Sequence, residues 1–182
     1  MHALPGQDPV SQITIVPRGM AGGMTISLPV EDRSYLSKRY MEDQIVALLG
    51  GRAAEQLCLG DISTGASNDI QRATGLARAM VTQYGMSEKF GLMSTASVQH
   101  QYLDGQAYMD CSQEMAAEVD REVMRFLEEA YADAKGILTE NRALLDEISE
   151  FLLVKETITG DELMAYVNAD KQALPPAEEE RE

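Results

Sequence analysis

The stretch that decides the fold is Glu118–Ala134, EVDREVMRFLEEAYADA. Val119, Val123, Phe126, Leu127, Ala130, Tyr131 and Ala134 recur at helical spacing and make one apolar stripe, with acids on the opposite side. That period is the mark of an amphipathic helix lying on a core. Asp110 or Ser112 is placed to cap it.

The same period extends in both directions. Upstream, Met41, Ile45, Leu48 and Leu49 share a face, and Ala53, Ala54 and Leu57 resume it after Gly50-Gly51. Two glycines inside a helix are costly, and we expect another backbone to pack closely on them. Leu59-Gly60-Asp61 ends this helix. A second helix is expected over 67–84, with Ile70, Ala73, Ala77, Met80 and Tyr84 inward and Gly85 as C-cap. Downstream, Leu144, Ile148, Phe151 and Leu152 mark a further helix. Thr159-Gly160-Asp161-Glu162 is a capping-box pattern opening a last short one. Residues 86–110 carry no clean period and read as a long excursion, of the kind that is usually functional or mobile.

Period two occurs in one place. Residues 12–16 and 24–28 alternate apolar and polar around a glycine-containing loop, which reads as a β-hairpin. The expected fold class is therefore mainly α with one small antiparallel β-hairpin. Residues 1–169 form the expected domain. Residues 170–182, with Pro175-Pro176 and several acids, are expected to be a disordered tail.

Composition narrows the function. The 182 residues hold 45% apolar and 25% charged residues, three Phe, no Trp and eleven Met. Such a chain can bury a core of aliphatic side chains and Met. The formal charge of −15 repels phosphate backbones, so nucleic acid is not an expected partner. Cys58 and Cys111 are far apart, sit among apolar neighbours and read as small buried groups in a reducing compartment. No stretch has the length of a membrane span or the form of a signal peptide, so the chain is expected to be soluble as it stands.

Tested motif by motif, the residues exclude most chemistry. No Gly is followed by Lys, so there is no P-loop. The segment Gly19–Gly23 lacks the spacing of a dinucleotide fingerprint. The two histidines, His2 and His100, have no partner at metal-ligand spacing, and HExxH is absent. Ser67 and Cys58 have no evident base.

Three ordered segments say more. They are Asp8-Pro9-Val10 leading to Ile13-Thr14-Ile15-Val16-Pro17-Arg18-Gly19; Asp43-Gln44-Ile45 followed by Leu48-Leu49-Gly50-Gly51-Arg52-Ala53-Ala54-Glu55; and Ser63-Thr64-Gly65-Ala66-Ser67-Asn68-Asp69-Ile70, then Ala73-Thr74 and Met80-Val81. Together they resemble the peptidase domain of the FtsH family of membrane-anchored, ATP-dependent AAA zinc metalloproteases. The resemblance is close over 5–93 and looser to Val167.

It implies an HExxH helix just before Pro5, bearing two His ligands and the glutamate that activates water. On that placement the catalytic residues lie outside this chain, which alone is expected to be inactive. Asp69 is implied as the third zinc ligand. The bare residue pattern reads it instead as a first-turn acid that caps the helix or complements its dipole. Gly22, Gly23, Met24, Thr25 and Ile26 are implied as the strand edge that holds an extended substrate. The resemblance further implies zinc as cofactor and ATP on a separate ATPase module. Unfolded or membrane proteins are the implied substrates, and the assembly a membrane-anchored homo-oligomer, a hexamer. The other reading is a non-catalytic assembly or binding domain that kept the fold.

Overall fold

The computed structural model describes residues 4, 7–17, 19, 22–29, 35–98, 107–109 and 111–173. They fall into two compact units, one of 1–32 with 140–182 and one of 33–139. The order of elements is β1 (Val10–Thr14), β2 (Met24–Ser27), α1 (Lys38–Leu59), α2 (Ser67–Thr82), β3 (Ala96–Val98), β4 (Ala107–Met109), α3 (Gln113–Glu140), α4 (Arg142–Lys155), β5 (Thr157–Thr159) and α5 (Gly160–Ala173). The fold is mainly α, as the periodicity predicts.

The unit of 33–139 is built on α1, α2 and α3. Ser37 opens α1, its hydroxyl accepting the Tyr40 N–H at 3.2 Å, and Gly60 closes it at φ 70°, a left-handed turn that suits glycine. Met41, Ile45, Val46, Leu49 and Ala53 of α1 are buried, as are Ala73, Ala77, Met80 and Val81 of α2. The small residues of α2 let α1 approach closely. Ser112 caps α3, accepting the Met115 N–H at 3.2 Å; Asp110, the other candidate, lies outside the described residues. Val119, Val123, Phe126, Ala130 and Ala134 form the buried stripe of α3. Tyr131 donates from its hydroxyl to Gln56 of α1 at 2.5 Å, and Arg78 of α2 donates to Asp120 at 2.7 Å.

The other unit is a three-stranded antiparallel sheet, order β2-β1-β5, packed with α4 and α5. Val10 pairs with Ser27 and Thr14 with Met24 on one side of β1, with an irregularity after Val10. Gln12 pairs with Thr159 and Thr14 with Thr157 on the other. Leu152, Ile158 and Leu163 form its buried centre, with Val10, Ile13, Ile148 and Phe151 against them. The capping box is present. Thr159 N–H donates to Glu162 Oε2 at 3.0 Å, and Glu162 N–H donates back to Thr159 Oγ1 at 3.4 Å.

Several expectations need correction. The predicted hairpin is two strands of a three-stranded sheet, because β5 adds to the free side of β1. A second pair, β3 with β4, lies inside the segment read as structureless. Gly50 and Gly51 do not interrupt α1, yet a Cβ on either would meet nothing within 4 Å, so no close packing explains them. Ile70 and Tyr84 are 38% and 54% exposed; they sit at the two ends of the α2 stripe, where cover runs out. Cys58 is exposed and Cys111 half-buried; Cys58 falls in the last turn of α1, off the face that carries Leu49 and Ala53. The acids of α3 do not all face outward: Glu122 is buried because Ser87 and Arg125 satisfy both its oxygens. α5 runs on to Ala173, and 174–182 lie outside the described residues.

Candidate functional site

Asp69 stands in the first turn of α2. The helix starts from Ala66, which is buried and has no side-chain oxygen to offer its free N–H groups. No cap bond therefore forms at that residue. The start is held by backbone instead: Ser67 N–H donates to the Thr64 carbonyl at 3.1 Å and Ile70 N–H to that of Ala66 at 3.0 Å. The Asp69 side chain is 46% exposed. Its charged neighbour among the described residues is Arg72, whose Nη1 lies 3.8 Å from Oδ1, a loose pair at i,i+3 of the kind that holds little at a surface. The acid keeps its favourable place at the positive end of the helix.

The loop that leads into α2 is tied to α1. Glu55 Oε1 accepts the Ser63 hydroxyl at 2.5 Å, and its Oε2 accepts the Ser63 N–H at 3.2 Å. Arg52 stands 3.9 Å from Oε2. The Ser63 hydroxyl bond, helped by the Ser63 N–H, outweighs desolvation and holds the Glu55 carboxyl below its ordinary range.

Gly22, Gly23, Met24, Thr25 and Ile26 lie in the other unit, along β2 and the lead into it. Among the described residues β2 pairs with β1 on one side, and no described strand pairs with its other edge. Met24 and Thr25 are exposed and Ile26 and Ser27 half-buried, so cover grows along the strand. Gly23 is dictated by fit: a Cβ there would stand 2.8 Å from the Thr14 carbonyl oxygen. A Cβ on Gly22 would meet nothing. An edge of this kind can accept a further strand through backbone hydrogen bonds.

Among the described residues no three His, Cys, Asp or Glu come together as a metal site. His2 and His100 lie outside the described residues. Asp69 suits zinc as one ligand, a hard carboxylate, half-exposed and weakly held. It does not make a site by itself, so the described residues fit zinc only in part.

A polar hollow of about 400 Å³ in the same unit as Asp69 was not foreseen. Lys38, Glu42, Lys89, Glu122, Arg125 and Glu129 are among the residues that line it. Arg125 donates to Glu122 at 2.8 and 3.0 Å and to Glu129 at 2.7 and 2.8 Å, and its guanidinium lies 4.9 Å from the centre of the Phe126 ring. These bonds, led by those from Arg125, hold the Glu122 carboxyl below its ordinary range. The charges satisfy one another, and the cluster reads as a tie between α3 and the segment after α2.

The family model of peptidase family M41 matches residues 1–166, and the chain belongs to that family. Among known proteins it is 48% identical over 170 residues to ATP-dependent zinc metalloprotease FtsH 1 of Thermoanaerobacter sp. (strain X514), covering 92% of this chain and 28% of that protein. It is 51% identical over 157 residues to ATP-dependent zinc metalloprotease FtsH 2 of Alkaliphilus metalliredigens, covering 85% and 23%. It is 52% identical over 161 residues to ATP-dependent zinc metalloprotease FtsH of Clostridium perfringens, covering 88% and 22%. The chain thus spans roughly a quarter of the length of these relatives. Among the described residues no helix is long and apolar enough to cross a membrane.

Proposed function

We propose that this chain is the peptidase part of an ATP-dependent zinc endopeptidase that degrades proteins. In this reading Asp69 supplies one zinc ligand and the outer edge of β2 receives the substrate. The observation that carries it is the state of Asp69, at the start of a helix, half-exposed and held, among the described residues, only by Arg72 at 3.8 Å. Membership of peptidase family M41 supports it.

The roles of the chain's own residues follow from their chemistry. The Asp69 carboxylate is a hard oxygen donor of the kind that ligates zinc. The β2 edge from Gly22 to Ile26 offers backbone groups that bind an extended peptide without reading its sequence. This suits a protease acting on many unfolded or membrane proteins. Zinc, when bound, supplies a Lewis acid for attack on the peptide carbonyl. The remaining ligands, the general base and the ATP site would come from sequence beyond these described residues. Membrane anchoring and a homo-hexameric ring belong to the same proposal.

The test is Asp69→Ala in the full-length gene product, with zinc affinity measured by chelator competition. Loss of one ligand from a three-residue set is expected to exceed the roughly 10–100-fold loss typical of outer-shell changes. Peptide hydrolysis should fall with it while ATP hydrolysis is kept. Unchanged zinc affinity would overturn the assignment.

A further inference from the structure

The apolar side chains of β2 face away from the core of their own sheet. Residues 24–28 read MTISL, with Thr25 and Ser27 between Met24, Ile26 and Leu28. Directly paired residues share one face of a sheet. Ile13 of β1 pairs with Thr25 on one side and with Ile158 of β5 on the other. Ile13 also packs against the buried centre of Leu152, Ile158 and Leu163. The polar Thr25 is therefore on the face that carries the core. Ile26 pairs with Gln12 and Met24 with Thr14, and beyond them lie Thr159 and Thr157 of β5. Met24 and Ile26 thus stand on the opposite face, in rows whose other members are polar. Met24 is 40% exposed and Ile26 half-buried. The packing of this unit's buried centre gives no reason for apolar residues at either position.

We propose that Met24 and Ile26 are specificity-determining residues: a peptide added to the outer edge of β2 places every second side chain on their face, so the site selects segments with apolar residues two apart. The proposal rests on the reading of that edge as the seat of the substrate. Side chains alternate along a strand, so one set of the peptide's side chains lies beside Met24 and Ile26 and the other beside Thr25. Apolar side chains that meet across a strand pair attract and shed water. Backbone pairing supplies affinity for any sequence, and the alternate side chains supply choice. Segments apolar at every second position are the strands of sheets with one face in a core and one in water. Unfolded amphipathic β-strands are therefore the substrate class this edge fits.

The experiment uses the full-length protein with zinc and ATP, at low salt, and a set of short quenched fluorescent peptides. Each position in turn carries Leu, Ala, Lys or Glu, and kcat/KM is read for each peptide. The parental protein should favour Leu over Ala by about two- to fivefold at two positions that are two residues apart, and be indifferent at the position between. Met24→Lys should turn one of these preferences from Leu to Glu, and Ile26→Lys the other. Thr25→Lys should instead create a preference for Glu at the intervening position. A new preference of this kind does not arise from misfolding. A second peptide set carries N-methyl groups on single backbone amides, which removes the N–H donor there. Cleavage should fall at every second placement if the peptide pairs as a strand.

An unchanged side-chain profile in Met24→Lys and Ile26→Lys, beside cleavage that falls with alternate N-methylation, would overturn this proposal and leave the edge reading standing. Preferences for Leu at consecutive positions would also overturn it, since a strand does not place neighbouring side chains on one face. Cleavage indifferent to N-methylation at every position would remove the edge reading itself, and the roles of Met24 and Ile26 with it.

Discussion

Replacing Gly160 by Ala tests how β1, β5 and α5 are locked together. Gly160 is the first residue of α5 and directly follows β5. A Cβ added there would stand 2.2 Å from the Val10 carbonyl oxygen, 3.3 Å from the Val10 carbonyl carbon and 3.5 Å from Ser11 Cα. All three are backbone atoms, so no side chain can rotate away. Restoring ordinary contact takes a shift of about 1 Å between β1 and the start of α5. The shift falls beside the Gln12–Thr159 pair and loosens the ladder that continues through Ile13–Ile158 to Thr14–Thr157. It also strains the reciprocal bonds of Thr159 and Glu162. Overpacking costs about 1–3 kcal/mol, and each weakened hydrogen bond adds about 1 kcal/mol. We expect Gly160→Ala to destabilise this unit by about 2–4 kcal/mol. Urea unfolding followed by circular dichroism measures the loss. Hydrogen exchange of the Ile13 and Ile158 amides shows whether it falls on the sheet. A change below about 0.5 kcal/mol, within the ordinary scatter of surface substitutions, with both amides still protected, would refute the packing argument.

Gly136→Ala is the opposite case: a Cβ there meets nothing within 4 Å in α3, so it should stabilise by about 0.4–1 kcal/mol in the same urea assay. Glu122→Gln should cost about 1–2 kcal/mol near pH 7 through weakened bonds to Arg125 and Ser87. Because the Glu122 carboxyl is depressed below 4.5 in the folded chain, the advantage of Glu over Gln is present above that value. It is lost as pH falls through the lower folded value. Parent and variant unfolding midpoints that differ equally at pH 7 and pH 3 would contradict this.

The helices were legible because burial imposes its period on long segments. The stripe of α3 from Val119 to Ala134 and the Thr159–Glu162 box are found where the residues place them. The missed elements lack that signal. β5 is three residues long and follows Glu156, which adopts φ 61° where glycine is usual, so nothing announces the turn. β3 and β4 are equally short, and pairing across the segment between them, not alternation, makes them strands. Glu122 was misplaced because its charge says "outside", whereas Ser87 and Arg125, distant or adjacent in sequence, decide otherwise. The glycine pair was misread for a related reason. Close packing is the usual excuse for glycine in a helix, but here α1 runs through Gly50 and Gly51 with space beside both.

The candidate site divides the same way. A first-turn acid has one sequence appearance and three possible uses, as a cap, as a partner to the helix dipole or as a metal ligand. Composition and period cannot separate them, so the reading of Asp69 as a ligand comes only from the motif around it. Geometry does part of that work. The helix starts from an alanine, the carboxylate is half-exposed, and among the described residues its ion-pair partner is a loosely placed i,i+3 arginine. A capping aspartate would have its oxygens turned onto backbone N–H groups. What the motif alone hides is that its two halves are tied together. Glu55 of the first engages Ser63 of the second, and the linkage becomes visible only when the loop is folded back onto α1.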